Sequence, residues 1–451
     1  MKIDKKFLPI AKAIREFEEE CKKYGSKPLK VCVERNDGYR HAFQLDILKD
    51  EKFDEKNYQL VERLIKASLW IYGGYKVYIG GCSYIGGRIK EEYRKGGRRG
   101  FDVDMMERVY EKPFEVAVTD ISQVPDTHEF TQKRTFGLKG CRIGFDAGGS
   151  DRKVSAVIDG EVVYSEEVLW LPKVTSDPSY HYQEILKAFK TAASHMPRVD
   201  AIGVSSAGIY VNNQVKDASL FMSVPDDLFQ KHVKNIYIDA AKQLGDVPLV
   251  VANDGDVTAL TGALSFGKNK LLGIAMGTSE AAGYVDENGC IKGWLNELAF
   301  VPVDLNPEAA VDPWSGDVGV GVNYFSQDAV IKLASMCGID LSAHDTPAMK
   351  LKAVQKMLEE GNPAAEDIFE DIGEYLAHTL SFYSVFYDIE NVLILGRVSS
   401  GKGGEIMISK CNAVLKECYP ELSEKITVYL PDEKSRRVGQ SIAAASLPIL
   451  D

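Results

Sequence analysis

CRIGFDAGGSDRKVSAVIDGEVV, residues 141–163, is the stretch from which the fold of this chain can be inferred. An apolar run ends at Asp146, two glycines and Ser150 follow, and a second apolar run ends at Asp159-Gly160. Glycines at such a turn leave backbone N–H groups open to an anion such as a phosphate. The carboxylate at the strand end can hold Mg²⁺, directly or through water, between the protein and that phosphate. A hairpin with an ordinary glycine turn explains the same residues, so this stretch alone leaves both interpretations open.

Two later stretches repeat the pattern. LLGIAMGTSEAAGYVDENGCI (271–291) places Gly277-Thr278-Ser279 between two extended runs, and LILGRVSSGKGG (393–404) places glycines and serines after another apolar strand. The glycine and the hydroxyl residues of the first stretch predict a second phosphate-binding turn. The other stretch precedes a predicted helix, and a helix N-terminus favours an anion or a nucleotide. The three turns together favour a nucleotide-binding protein over chance hairpins.

The composition is that of a globular protein of two or three domains, with 451 residues, 45% hydrophobic and 27% charged. A net charge of −12 argues against nucleic acid or an anionic membrane as a partner. The eight cysteines include no Cys-x-x-Cys pair, which excludes the usual zinc signatures and is typical of free thiols in a reducing compartment. The N-terminal residues are amphipathic and charged, unlike a signal peptide or a membrane span. We therefore expect a soluble, cytoplasmic protein.

Helical and extended periodicities alternate along the chain, which predicts an α/β fold. The N-terminal part is expected to contain a helix over 5–24, a hairpin that turns at Asn36-Asp37-Gly38, and a helix over 57–72. After about residue 325 the pattern is mostly helical until a strand over 391–396. We expect four segments: an N-terminal α/β segment over 1–120, a linker over 121–140, one lobe over 141–255 and a second lobe over 256–451.

One internal similarity concerns the N-terminal segment. VYIGGCSYIGGRI (77–89) and LILGRVSSGKGGEI (393–406) share an apolar strand, a glycine, two residues and a serine, and then Gly-Gly, one residue and an isoleucine. The similarity predicts that residues 1–120 are a diverged half-domain of the same type as the rest of the chain. Chance among 39 glycines explains it equally well.

The order of these motifs resembles that of the ROK-type sugar kinases, members of the ASKHA superfamily that also includes actin and heat-shock ATPases. FDAGGS resembles their first phosphate loop, AMGTSEAAG their second, and LGRVSSGKGGEI their adenosine-side loop. IGVSSAGIYVNNQV lies where these kinases have a Gly-Pro-Gly segment beside the sugar, VVANDGDVTALTGA resembles their Asn-Asp-Ala-Asn signature, and GWLNELAF resembles their Gly-Glu-Ile-Gly-His segment. The resemblance covers about 141–450. It implies an actin-like, ribonuclease H-like ATPase fold with two lobes around a nucleotide cleft, plus the extra N-terminal segment.

The resemblance also implies ATP- and Mg²⁺-dependent phosphoryl transfer to a sugar hydroxyl. Asp254 would be the catalytic base, although an Asp before a helix is also a common N-cap. Asp146 would hold Mg²⁺, directly or through water. The other residues implied for the nucleotide are Gly148, Gly149, Ser150, Gly277, Thr278, Ser279, Gly396, Ser399, Gly403 and Gly404. Those implied for the carbohydrate are Ser206, Gly208, Asn213, Asn253 and Glu297.

Three departures from the family pattern leave other functions open. Phe300 replaces the histidine of the Glu-Ile-Gly-His segment, the cysteine-rich zinc segment is missing, and Glu280 follows the second phosphate loop. We therefore expect no structural zinc. A catalytically inactive sugar- or metabolite-binding sensor on the same fold is one alternative, and an ATPase that drives a partner is another. The N-terminal segment lacks the winged helix-turn-helix of ROK repressors, and the sequence leaves open whether the chain forms a homodimer.

Overall fold

The computed structural model describes residues 1–130, 137–431 and 439–450 of the chain. The chain divides into two compact units. The first unit comprises Met1–Thr131, Ile274–Ala281 and Trp294–Leu430, and the second comprises Gln132–Gly273, Ala282–Gly293 and Pro431–Asp451. The boundaries expected near 120, 140 and 255 differ from these, because a sequence gives no sign that a chain returns to a unit it has left.

The predicted N-terminal hairpin is confirmed. Strand β1 (Ser26–Glu34) pairs in antiparallel register with β2 (Arg40–Leu48). At its turn Asp37 and Gly38 have φ of 61° and 72°, the left-handed region that glycine adopts freely and Asp tolerates. The other elements of this part are α1 (Ile10–Tyr24), α2 (Asp54–Tyr72), β3 (Lys76–Gly80), α3 (Ser83–Glu92), α4 (Gly100–Tyr110) and β4 (Glu115–Thr119).

The N-terminal residues are tied to a helix far along the chain. The carboxylate of Asp371 accepts hydrogen bonds from the backbone N–H groups of Lys2, Ile3 and Asp4 at 2.7, 2.9 and 2.9 Å. Asp371 is itself 1% exposed, so these bonds satisfy a buried charge. The N-terminal segment is therefore part of the first unit.

The second unit is built on a five-stranded sheet in the order β11-β8-β5-β6-β7. Strand β5 is antiparallel to β6 and parallel to β8, and β8 is parallel to β11. Strand β7, which the sequence analysis did not predict, is an exposed edge strand. The strands are β5 (Cys141–Ala147), β6 (Asp151–Ile158), β7 (Glu161–Leu169), β8 (Ala201–Ser206), β9 (Ile209–Val211), β10 (Gln214–Asp217) and β11 (Leu249–Asn253).

Helices cover the apolar face of this sheet. The helices of this part are α5 (Pro178–Ala193), α6 (Asp226–Leu228), α7 (Ile236–Lys242) and α8 (Asp254–Phe266). On β5, Ile143 and Phe145 are 0% exposed, and the ring of Phe145 meets that of Phe189 in α5 edge-on at 5.5 Å. Because side chains alternate along a strand, Gly144 and Asp146 lie on the opposite face.

The strand directions argue against the half-domain interpretation. The N-terminal strands form a sheet in the order β2-β1-β3-β4, in which β1 is antiparallel to both β2 and β3. In the second unit the first strand of the hairpin, β5, is parallel to its other neighbour, β8. The same type of half-domain would repeat these directions.

The remaining helices and strands lie mostly in the first unit. Along β12 (Leu271–Met276) and β13 (Glu280–Val285) the chain passes between units, and the sheet order is β13-β12-β14-β15. The predicted helical region is confirmed. Its elements are α9 (Gln327–Met336), α10 (Pro347–Glu359) and α11 (Pro363–Tyr383), followed by β14 (Asn391–Leu395), α12 (Lys402–Cys418), α13 (Pro420–Lys425) and β15 (Thr427–Tyr429).

Helix α14 (Gln440–Ala445) packs against the sheet of the second unit at two glycines. A Cβ atom on Gly144 would lie 1.7 Å from the Ser441 carbonyl oxygen, and one on Gly203 would lie 1.7 Å from that of Ala444. Only glycine permits such a close approach of helix backbone to sheet. Among all the described helices, none has the length and apolar character needed to cross a membrane.

Candidate functional site

Asp146 lies near the end of β5, in a row of polar side chains across three strands. Its partners in the sheet are Ser205 on β8 and Lys153 on β6. Asp146 is only 7% exposed. Burial raises the pKa of its carboxyl to about 6; the Ser205 hydroxyl and Lys153 oppose this rise, and the charge of Asp254 adds to it. A carboxylate that is costly to ionise in the empty protein is well suited to receive a cation.

Gln440 holds the Asp146 carboxylate from the other side. In the amide orientation that satisfies its neighbours, the Gln440 nitrogen donates to the two carboxylate oxygens at 3.1 and 3.3 Å, and the amide oxygen accepts from the Thr258 hydroxyl at 2.5 Å. Gln440 begins α14 and Thr258 lies in α8, so two helices fix one strand-end carboxylate. Sequence analysis missed both residues, because nothing local marks a glutamine almost 300 residues away as a partner.

Asp254 is the first residue of α8 and follows β11 directly. The cap of this helix is Asn253, whose Oδ1 accepts from the Gly255 N–H at 2.7 Å. The capping role that competed with catalysis therefore belongs to Asn253. Burial raises the pKa of Asp254, while the Gly255 N–H and the charge of Lys173 oppose the rise. A raised pKa brings a carboxylate closer to the range in which it accepts a proton.

The first phosphate loop is held in place by Trp170. The indole Nε1 donates to the Gly148 carbonyl at 2.7 Å, and the Trp170 backbone N–H donates to the Ser150 carbonyl at 3.2 Å. Trp170 is 2% exposed, whereas Gly149 and Ser150 are exposed at the loop tip. The structure thus gives a fixed loop whose glycine backbone faces solvent, as an anion-binding turn requires.

The predicted carbohydrate residues of the second unit are largely engaged with protein groups. Ser206 is 0% exposed and its hydroxyl lies between those of Tyr210 at 2.7 Å and Tyr237 at 2.9 Å. The Asn213 amide bridges the free edge of β11, donating to the Leu249 carbonyl and accepting from the Val251 N–H.

Asn253 and Gly208 are bound to each other. The Asn253 Nδ2 donates to the Gly208 carbonyl at 2.7 Å, and its Oδ1 already accepts from the helix. A Cβ atom on Gly208 would lie 2.4 Å from the Asp217 carbonyl oxygen, and its φ is 128°. These contacts fix the segments before and after the strand ends, so the two residues shape the region around Asp254.

In the first unit, the second phosphate loop and the adenosine-side loop lie against each other. The Val398 N–H donates to the Met276 carbonyl at 3.1 Å, and a Cβ atom on Gly396 would lie 2.3 Å from that same oxygen. The Gly277 carbonyl accepts from the Gln327 N–H at 2.9 Å, which ties the loop to the start of α9. Thr278 and Ser279 are exposed on this loop.

The other predicted residues of the adenosine-side loop are buried. Ser399 is 4% exposed and its hydroxyl donates to the Gly396 carbonyl at 3.2 Å. A Cβ atom on Gly404 would lie 2.0 Å from the Ser399 carbonyl oxygen, and one on Gly403 would lie 2.6 Å from the Phe369 ring. These glycines allow the first turn of α12 to pack closely against its surroundings.

Glu297 lies near a second acidic residue, Glu280, in the first unit. Glu280 is 4% exposed, and neither carboxylate oxygen has a hydrogen-bond partner. Burial, together with the charge of Glu297, raises the pKa of Glu280 well above its ordinary value. The Glu280 carboxyl, one of the departures from the family pattern, is therefore buried in a place that disfavours its ionised form. Phe300, at the position of the family's histidine, packs on Trp70 at 4.4 Å and on Phe101 at 5.7 Å between ring centroids.

The candidate residues thus form two groups, one in each unit. The second unit brings together Asp146, Asp254 and the first loop, and the first unit brings together the second loop, the adenosine-side loop and Glu297. Among the described residues, no group of three or more His, Cys, Asp and Glu could hold a metal ion. Mg²⁺ commonly binds through one or two carboxylates, with substrate phosphates and water as its other ligands. The donor set around Asp146 fits Mg²⁺ bound in this way.

Comparison with known proteins shows the fold. No protein-family model matches the chain, and no curated protein sequence matches it. The ROK hexokinase from Thermus thermophilus is 15% identical, with a TM-score of 0.53 over 68% of this chain and 97% of that one. A ROK family transcriptional regulator, homologous to the Escherichia coli MLC protein, is 18% identical, with a TM-score of 0.52 over 70% of this chain and 80% of that one. The chain therefore has the α/β fold of ROK-type sugar kinases, which confirms the fold class predicted from sequence.

Proposed function

We propose that this protein is a carbohydrate kinase that transfers the terminal phosphoryl group of ATP to a sugar hydroxyl. The observation that carries the proposal is the pair Asp146 and Asp254: a buried and a half-buried carboxylate at the ends of β5 and β11, which flank β8 in one sheet, both with a raised pKa. One is placed to hold a cation and the other to accept a proton. The exposed glycine loop after Asp146 supplies an anion site beside it.

The chemical step assigns one role to each group. The sugar hydroxyl oxygen attacks the γ-phosphorus, the bond to the β–γ bridging oxygen breaks, and ADP leaves with that electron pair. Asp254 accepts the hydroxyl proton, so the attacking oxygen does not carry a full positive charge. Asp146 and the phosphates would hold Mg²⁺, which neutralises phosphate charge when bound. The loop at Gly149 and Ser150 positions the phosphates.

Replacing the base tests this proposal most directly. Asp254→Asn keeps the shape of the side chain and removes the proton acceptor, so we expect kcat to fall by about 10²- to 10⁴-fold. The assay is ADP release with a panel of sugars, and calorimetric titration of ATP·Mg²⁺ checks that binding persists. Asp239→Asn, an exposed carboxylate on α7, is the matched control and should keep full activity. Full sugar-dependent turnover by Asp254→Asn would rule out the assigned base.

A sugar-binding sensor on the same fold is the second candidate. Two observations favour it: one structure of similar fold is a transcriptional regulator, and Phe300 occupies the position of the family's histidine as part of an aromatic cluster. A sugar that binds the wild-type protein without ATP-dependent turnover would select this candidate. ATP hydrolysis that no carbohydrate stimulates would instead select an ATPase.

A further inference from the structure

Lys173 stands out because its backbone is fixed while its side chain is free. Its carbonyl accepts from the Ser223 hydroxyl at 2.5 Å, and the preceding Pro172 carbonyl lies 2.9 Å from the His181 Nε2. Three residues before it, Trp170 anchors the first phosphate loop. Lys173 is exposed, so a well-fixed backbone presents its ammonium group beside that loop.

The ammonium group of Lys173 lies over Gly149. A Cβ atom placed on Gly149 would be 3.0 Å from the Lys173 Nζ and 2.8 Å from its Cε. The charge of Lys173 also lowers the pKa of Asp254, against the effect of burial, so its field reaches the assigned base. The Lys173 ammonium group therefore lies against Gly149 and also acts electrostatically on the Asp254 carboxylate.

The charges around Lys173 differ from those around the other lysine of this region. Lys153 lies within 3.6 Å of Asp151 and 3.8 Å of Glu167. Lys173, by contrast, forms no such ion pair with any of the described carboxylates. An ammonium group over an anion-binding turn, with no carboxylate in contact, is chemically suited to a phosphate.

We propose that Lys173 is a catalytic residue that binds the terminal phosphoryl group of the nucleotide above Gly149 and holds it toward the hydroxyl that Asp254 deprotonates. This inference rests on the proposed kinase function and names the protein cation that the reaction uses. A fixed positive charge at the transferred group stabilises the charge that spreads over its oxygens in the transition state. Sequence analysis did not select Lys173, because an isolated lysine after a strand carries no motif.

Nucleotides with and without a third phosphate test the proposal in the intact protein. Calorimetry would measure the affinity for a non-hydrolysable ATP analogue and for ADP, each with Mg²⁺. We expect Lys173→Met to lower the affinity for the analogue by about tenfold to a hundredfold, the range for a hydrogen bond to a charged group. The affinity for ADP should fall much less. Lys173→Arg keeps the charge and should restore most of the analogue affinity. Lys190→Met, an exposed lysine on α5, is the control and should change neither.

The outcomes separate this inference from the kinase proposal. Equal affinity of Lys173→Met and the wild type for the analogue would overturn the role of Lys173, whatever the activity. An equal loss for the analogue and for ADP would also overturn it, since the contact would then not be to the terminal phosphate. If the wild type binds the analogue but phosphorylates no sugar, the kinase proposal fails, while a selective loss in Lys173→Met still supports the terminal-phosphate contact.

Discussion

Two groups of charged residues, one in each unit of this protein, are balanced in opposite ways. In the first unit Lys66, whose side chain is 0% exposed, pairs with Asp102 at 2.7 Å and with Asp317 at 3.3 Å. In the second unit burial and the charge of the half-buried Asp254 raise the pKa of the buried Asp146, and the basic group that acts on Asp254 is the exposed Lys173. Protein side chains balance the charges of the first group, whereas the second group requires a bound ligand to balance its charges.

The pKa values of Asp317 and Asp146 shift in opposite directions, in line with this difference in charge balance. Burial acts to raise the pKa of Asp317, but Lys66 and Arg63 outweigh it and the pKa is lowered. For Asp146 burial prevails, and the pKa rises to about 6. A buried charge with partners serves the structure, while a buried charge without enough partners marks a place where a ligand supplies them.

The largest effect is expected from breaking the complete cluster. Lys66→Met removes the cation and leaves buried carboxylates behind, so we expect the free energy of unfolding to fall by about 3 to 5 kcal/mol. Urea denaturation followed by circular dichroism measures the change. Lys6→Met is the control, because the Lys6–Glu308 pair is exposed and solvent screens it, so the midpoint should hardly change. An unchanged midpoint for Lys66→Met would show that the cluster does not stabilise the first unit.

An intermediate effect, of the opposite sign, is expected in the second unit. Because the pKa of Asp146 is about 6 when folded and 3.8 ordinarily, its contribution to stability is greatest below 3.8 and is lost as pH rises through 6. Asn does not ionise, so Asp146→Asn does not lose this stability as the pH rises. The variant should raise the free energy of unfolding of the ligand-free protein by about 1 to 3 kcal/mol at pH 8, and hardly at all at pH 4.

Asp317→Asn is the matched comparison for that experiment. The lowered pKa of Asp317 contributes stability above its ordinary value that is lost as pH falls through the folded pKa. This variant should therefore be less stable than the wild type at neutral pH. Denaturation curves from pH 4 to 8 without Mg²⁺ would give the free energy of unfolding of both variants. If both variants changed it in the same direction at pH 8, the contrast between the two groups of charges would be contradicted.

The smallest effect is expected at the tip of the first phosphate loop. In Gly149→Ala the new methyl group meets only the flexible end of Lys173, so stability should change by less than about 0.5 kcal/mol. The displaced ammonium should nevertheless weaken binding of the ATP analogue. A thermal shift assay and calorimetry measure the two effects. A large loss of stability would mean that the loop is packed more tightly than its exposure indicates.

Local patterns predicted much of this structure, and distant contacts account for what they missed. Asp146 and Asp254 lie at strand ends, as the apolar runs before them indicated, and Asn36-Asp37-Gly38 forms the expected turn. Each of these features depends on a few consecutive residues. The fold class was accessible because the motifs at three glycine turns resemble, in the same order, those of ROK-type sugar kinases.

Gln440 and Lys173 could not be found in this way. Their roles arise from contacts with Asp146 and Gly149 across the sheet, and neither is marked by neighbouring residues. The similarity between the two Gly-Gly stretches was misleading because it compared short strings without strand direction. Antiparallel β1 and β3 show the difference only once the sheet is known.

The close packing of α14 on Gly144 and Gly203 has a consequence for synthesis of the chain. The sheet it covers is made early, yet α14 follows the whole of 294–430, which belongs to the first unit. On the ribosome, the second unit must wait with its glycine face uncovered and Asp146 without Gln440 while the other unit emerges. Completion of the candidate catalytic centre therefore has to follow synthesis of 294–430, and a chain released before α14 would lack Gln440 beside Asp146.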